Sequence, residues 1–122
     1  MTPSKKVDLD ISTWNDHVKD TYLGIKDHLN KTPLLSSKKL NQLLGIQIFV
    51  KAENLQKTGS FKIRGALSSI SRLSAEQLRN GVLAYSSGNH AQGVAMAAQI
   101  FNTSATIVMP SDAPKVKVLG TK

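Results

Sequence analysis

Apolar residues recur at three- and four-residue steps from position 11 to position 29. Ile11, Trp14, Val18, Tyr22, Ile25 and Leu29 form one stripe, the pattern of an amphipathic helix. Asp10 or Ser12 stands where the cap belongs, and Gly24 weakens the helix by roughly 1 kcal/mol against alanine. Burial of two or three stripe residues outweighs that loss, so the stripe reads as a core face, with a partner-binding face as the alternative. Residues 1–8 are polar, include Pro3 and read as a loose arm. Thr32-Pro33 ends the helix, because a residue before proline is pushed toward extended geometry, and Leu34-Leu35 continues as a short strand.

The pattern then alternates. Ser36 or Ser37 caps a short helix over residues 38–44, and Gly45 closes it at the position that favours a left-handed residue. Residues 46–52, IQIFVKA, are rich in β-branched and aromatic side chains and predict a strand. After a polar loop, Ala66, Leu67, Ile70 and Leu73 mark a helix that ends near Ser74. Ser74 with Gln77 forms a capping box for a helix to Asn80 that stops at Gly81. Residues 82–85 predict a strand, 88–101 a helix of mostly small apolar residues, and 105–109 another strand. Together these make one β-α-β unit with parallel strands and a right-handed crossover. A last helix is expected to open at Ser111 or Asp112. The fold class is α/β.

Charge adds a second functional class. Sixteen basic and eight acidic side chains give a net +8 over 122 residues, which by itself suits a polyanion-binding module without catalysis. The basic residues are scattered, only Lys5-Lys6 and Lys38-Lys39 being adjacent, and aromatics are 5% with no base-stacking repeat. A solvated surface explains the charge better, and no nucleic-acid partner is expected. Without cysteine there is neither a disulfide framework nor a thiolate metal site, and His17, His28 and His90 form no ligand cluster. No apolar run has the length of a signal segment or a membrane span. The expectation is a cytoplasmic protein with no metal and no membrane partner.

Two stretches carry chemistry. Lys62 follows the polar turn Lys57-Thr58-Gly59-Ser60 and precedes an apolar helical pattern. The positive end of a helix, and desolvation, both lower an amine's pKa and favour the neutral nucleophile, so Lys62 is a candidate Schiff-base lysine. The alternative is one more surface lysine in a basic chain. The second stretch, Ser86-Ser87-Gly88-Asn89-His90-Ala91-Gln92-Gly93, links a strand to a helix. Free backbone N–H groups there suit a carboxylate or phosphate, although Ser or Asn is also an ordinary helix cap. His90, beside a helix start, more simply orients the loop than acts as a base.

Taken in order, these stretches resemble the threonine/serine dehydratases and serine racemases, pyridoxal-phosphate enzymes of the tryptophan-synthase-β type. The resemblance runs from Thr32-Pro33-Leu34 to the last residue. It rests on KAENLQKTGSFK at 51–62, the Ser-Ser-Gly-Asn-His loop and ATIVMPSDAP at 105–114. It implies a two-domain, fold type II architecture of three layers, with packed helices around parallel strands, of which this chain is an N-terminal portion. Residues 1–76 would be the start of the large domain with its lysine loop, and residues 77–122 the start of a small β-α-β domain. Residues 74–81 would cross between them, so that the lysine and the bend face each other across a cleft. The resemblance further implies pyridoxal 5'-phosphate as cofactor, with Lys62 carrying it, Phe61 near the pyridine ring and Asn89 bonding the phenolic oxygen. Ser86, Ser87, Gly88, Asn89 and His90 would grip a small amino-acid substrate. The implied reaction converts L-threonine or L-serine to a 2-oxo acid and ammonia, and the full-length form would be a homodimer. Many dehydratases carry a small non-hydroxyl residue at the position of Ser87, whereas a serine there is similar to the racemases. Ser87 is therefore a second catalytic candidate and serine racemase the alternative activity. A chain without the downstream phosphate-binding loop is expected to turn over little substrate by itself.

Overall fold

Helix α1 runs over Ile11–Ile25 and tightens into a 3-10 turn at Lys26–His28, in a computed structural model that describes residues 11–122. The arm expected at residues 1–8 and the Asp10 cap lie outside the described residues. The stripe does not form a buried face. Trp14 is 50% exposed and Val18 60%, while Ile25, at 4%, is the stripe residue that enters the core. Leu29 packs partly against the same cluster. Among the described side chains, only the end of α1 reaches the packed interior, and periodicity cannot say how far along a helix its neighbours extend.

Strand β1, Leu34–Leu35, pairs antiparallel with β2, Val50–Lys51. The strand predicted over residues 46–52 shrinks to two residues because its partner offers only two before the chain turns into α2, Lys38–Leu44. That helix has the expected ends. Ser37 Oγ accepts from the Leu40 N–H at 3.3 Å, and Gly45 has φ 66°, the left-handed region that glycine enters without a Cβ clash.

Helix α3, Lys62–Ile70, begins earlier than the apolar pattern indicated, so Lys62 is its first residue. Helix α4, Ala75–Asn80, carries the complete Ser74–Gln77 capping box. Strand β3, Val82–Tyr85, helix α5, Asn89–Ile100, and strand β4, Ala105–Val108, form the expected unit. Its parallel register runs from Val82 opposite Ala105 to Tyr85 opposite Val108. Helix α6, Lys115–Leu119, opens after Pro114 and not at Ser111 or Asp112. Pro114 keeps Ala113 out of helical geometry, which postpones the helix.

The core forms where α3 crosses α5. Ile63, Ala66, Leu67 and Ile70 of α3 meet Val94, Ala97 and Ala98 of α5, joined by Ile25 of α1. Ile63 and Leu67 are fully buried. Val82, Ala84 and Ile107 pack against the cluster from the sheet, and alanines on α5 let helix, helix and strands come close. The lysine loop enters this core at one end of α3 and the 86–88 bend enters it at the start of α5.

Candidate active site

The loop ahead of Lys62 is fixed by side chains that bridge distant segments. Gln56 is 4% exposed, and both ends of its amide are hydrogen-bonded. Its Oε1 accepts from the backbone N–H groups of Asn30 and Lys57, each at 2.9 Å, and its Nε2 donates to the Asn30 carbonyl at 2.9 Å. The Glu53 carboxylate accepts from Arg64 Nε at 2.7 Å and Nη2 at 2.8 Å, and from Thr32 Oγ1 at 2.6 Å. Glu53 precedes the lysine and Arg64 follows it, so this two-point pair clamps the loop to the first turn of α3. Thr58 has φ 61° and Gly59 φ 68°. A β-branched residue in that region costs about 1–3 kcal/mol and persists only where the surroundings over-determine it. Ser60, buried, turns its Oγ toward the Lys62 N–H at 3.4 Å.

The guanidinium of Arg64 is the main reason the Glu53 carboxyl falls from the ordinary 4.5 to about 2, with the Thr32 hydroxyl helping and partial burial opposing. A depressed carboxylate stabilises the fold fully above its unfolded pKa, and the stabilisation is lost as pH falls through the folded one. Acid titration followed by circular dichroism is therefore expected to show a loss of stability between about pH 4.5 and pH 2 that Glu53→Gln removes. At neutral pH that substitution is expected to cost about 1–2 kcal/mol, since water screens the pair.

Lys62 stands on the wall of a cavity of about 540 Å³ lined also by Phe61, Ala66, Ile70, Ala84 and His90. Its Nζ lies 4.9 Å from the centre of the Phe61 ring. The helix-start position is as expected, but the desolvation is not, because Lys62 is exposed. The cavity is walled by α3 with Phe61 and Leu73 at its two ends, by β3 and by the first half of α5, and it opens to water.

Residues 86–88 form the bend between β3 and α5. The Ser86 N–H extends the ladder to the Val108 carbonyl at 3.1 Å, and Ser86 Oγ accepts from the Gly88 N–H at 3.2 Å. Helix α5 starts at Asn89 behind Gly88 and no side chain caps it. The ordinary capping role considered for these residues is therefore not the one they play, and the first-turn donors of α5 remain open toward an anion. Ser87, Asn89 and His90 are exposed. The structure brings Phe61, Lys62 and His90 together on one cavity, while Ser86, Ser87, Gly88 and Asn89 form the adjoining bend and do not line it. Asn89 Oδ1 accepts from Lys117 Nζ at 2.5 Å.

Gly93 fixes the bend relative to the lysine. A Cβ there would lie 3.2 Å from Ile63 N and from the Lys62 carbonyl carbon, and 3.3 Å from the Lys62 oxygen. Helix α5 thus packs directly on the peptide that follows Lys62, so that a side chain at position 93 would push that backbone back by a few tenths of an ångström. Gln56, Arg64, Gly93 and Lys117 were not singled out by sequence reasoning. Gly93 had a signal, since a glycine inside a helix usually has a packing reason. The other three act through partners far away in the sequence. His28 packs edge-on against Phe101 at 5.8 Å. Among the described residues, no group of three His, Cys, Asp or Glu side chains is placed to hold a metal ion, and no helix is long and apolar enough to cross a membrane.

Residues 25–122 match the family model described as pyridoxal-phosphate dependent enzyme. The chain is 51% identical over 111 residues to an L-threo-3-hydroxyaspartate ammonia-lyase of Saccharomyces cerevisiae, covering 91% of this chain and 34% of that protein. It is 50% identical over 107 residues to an L-threonine ammonia-lyase of Thermotoga maritima, covering 88% of this chain and 27% of the relative. The structure of maize serine racemase superposes with a TM-score of 0.83 at 42% identity, covering 87% of this chain and 32% of that one. The chain thus spans about a third of the length of the relatives it matches.

Proposed function

The chain belongs to the pyridoxal-phosphate dependent enzymes, and from that premise we propose that it forms part of an ammonia-lyase acting on β-hydroxy-α-amino acids, with L-threonine or L-serine as substrate and a 2-oxo acid and ammonia as products. The observation that carries the reading is the placement of Lys62, a primary amine at the first residue of α3, on a cavity walled by an aromatic ring, with the backbone that follows it packed against Gly93 of α5. The residues present fit the cofactor. An aldehyde needs a primary amine, which Lys62 supplies, and a flat heteroaromatic ring needs an apolar wall, which Phe61, Ala66 and Ile70 supply.

Pyridoxal phosphate, when bound, supplies an electron sink for the substrate's α-carbon. Lys62 would hold its aldehyde carbon and, once the substrate amine takes that place, would accept the α-proton on Nζ. The open N–H groups at the bend and in the first turn of α5 would grip the substrate carboxylate. Phe61 would flank the ring and Asn89 would donate to its phenolic oxygen. Glu53, Arg64 and Gln56 would keep the amine from drifting. Lys62, carrying the α-proton on Nζ, would return it to the departing β-hydroxyl, which would leave as water. Residues 1–76 and 77–122 would begin the large and small domains of the complete enzyme, with residues 74–81 crossing between them.

A racemase reading has one observation in its favour. Ser87 is exposed in the bend and its hydroxyl makes no hydrogen bond to another described residue, so it is available to return a proton to the α-carbon. Ser87→Ala in the holoenzyme would abolish racemisation while sparing elimination; racemisation that survives the change rejects this reading.

Reductive trapping with borohydride in the presence of pyridoxal phosphate, followed by peptide mapping, tests the assignment on the chain itself. Label concentrated on Lys62 is the expected result. Label scattered over Lys51, Lys57 and Lys117 would reduce the site to a basic surface, and salt-sensitive retention on heparin that persists in Lys62→Ala would then favour polyanion binding.

A further inference from the structure

Lys117 reaches back from α6 to the start of α5. Its ammonium donates to Asn89 Oδ1 at 2.5 Å and to Gln92 Oε1 at 3.3 Å. Asn89 and Gln92 are three residues apart on one helix, so their amides share a face and one cation can bridge them. Gln92 lies against the end of α6: its Nε2 stands 2.1 Å from where a Cβ on Gly120 would fall. The location is electrostatically unusual. The start of a helix is its positive end and repels a cation, so Lys117 stays there because two amide oxygens receive it.

An amide side chain can be turned over with little change in shape, exchanging its acceptor end for its donor end. An ammonium has three N–H donors and no acceptor, so it tolerates only the oxygen end of Asn89. Resting on the pyridoxal-phosphate reading above, we propose that Lys117 is a positioning residue that sets the orientation of the Asn89 carboxamide, committing Oδ1 to the ammonium and leaving Nδ2 to donate to the anionic phenolic oxygen of the cofactor. Its charge also adds to the positive end of α5 and strengthens the pull of the bend on an anionic group. The recorded side-chain partner of Asn89 is Lys117.

The test compares Lys117→Met, Lys117→Arg, Asn89→Ala and the double variant Asn89→Ala/Lys117→Met in the holoenzyme. It reads the visible absorption of bound pyridoxal phosphate across pH, cofactor affinity, and kcat and KM separately, with thermal melting as the control for folding. Lys117→Met is expected to shift the cofactor band in the same direction as Asn89→Ala and to weaken cofactor affinity about tenfold, the effect of one hydrogen bond to a charged group. Arginine, also a donor without an acceptor, is expected to restore the band. The double variant is expected to look like Asn89→Ala alone. A Lys117→Met protein that melts lower but keeps the wild-type band and affinity would overturn the proposal, as would additive shifts in the double variant. Should the methionine variant not fold, Lys117→Gln gives the same comparison, because its amide can present an acceptor and release Asn89 to turn over. If the wild-type holoenzyme shows no cofactor band, the pyridoxal-phosphate reading itself fails. If the band is present and Lys117 variants leave it unchanged, only the role of Lys117 fails.

Discussion

Lys62→Ala in the holoenzyme is expected to lower kcat by about 10³-fold or more, since it deletes both the group that holds the cofactor and the base that takes the α-proton. The same variant should lose the borohydride label. Its fold should survive, because Lys62 is exposed and its recorded contact is the Phe61 ring at 4.9 Å, worth about 0.5–1 kcal/mol at an exposed site. Arginine should not rescue it. A guanidinium stays protonated at neutral pH and cannot act as a nucleophilic amine. Measuring turnover and thermal melting on the same preparation separates chemistry from stability. Retention of more than a tenth of wild-type kcat would remove Lys62 from the mechanism.

Leu67→Ala is expected to be the most damaging single truncation for stability. Leu67 is fully buried on the face of α3 that meets α5, and leucine-to-alanine changes at such sites cost about 2–5 kcal/mol from lost transfer energy and the cavity left behind. Against a typical total of about 5–15 kcal/mol, that is a large fraction, and it should lower the melting temperature by roughly 10 °C. Leu43, 80% exposed on α2, is the internal control, and its truncation should change stability by no more than about 0.5 kcal/mol. Denaturant melts of the two variants provide the measurement. Equal losses would show that the α3–α5 contact is not the centre of the core. Leu67 also lies one helical turn beyond Ile63, the residue next to the candidate amine, so this variant should reduce cofactor retention as it loosens α3.

The elements whose ends are decided locally were legible in the sequence. Ser37 with Gly45, and Ser74 with Gln77 and Gly81, fix their helices through hydrogen bonds and backbone angles within a few residues. The parallel β-α-β unit was legible because two short runs rich in β-branched and aromatic residues flank a longer segment of small apolar residues. Strand β2 was overestimated because its length depends on β1, and β1 is short for reasons that lie in the following turn. The α1 stripe has the right period for a helix, yet which turns are buried depends on where α3 ends. At the site, the lysine loop and the bend stood out as compositional signatures. The Glu53–Arg64 clamp and the Lys117–Asn89 bond did not, since each joins residues whose separation is set by the fold and not by any repeat.

The bare backbone at Gly93, seated against the Lys62–Ile63 peptide, leaves no slack between the two halves of the site. Interlocked parts of this kind travel as one block, because a gap too small for water or a side chain gives neither half room to slide. If the proposed site closes over a substrate, α3 and α5 would move together, keeping the Lys62 amine and the 86–88 bend at a fixed spacing.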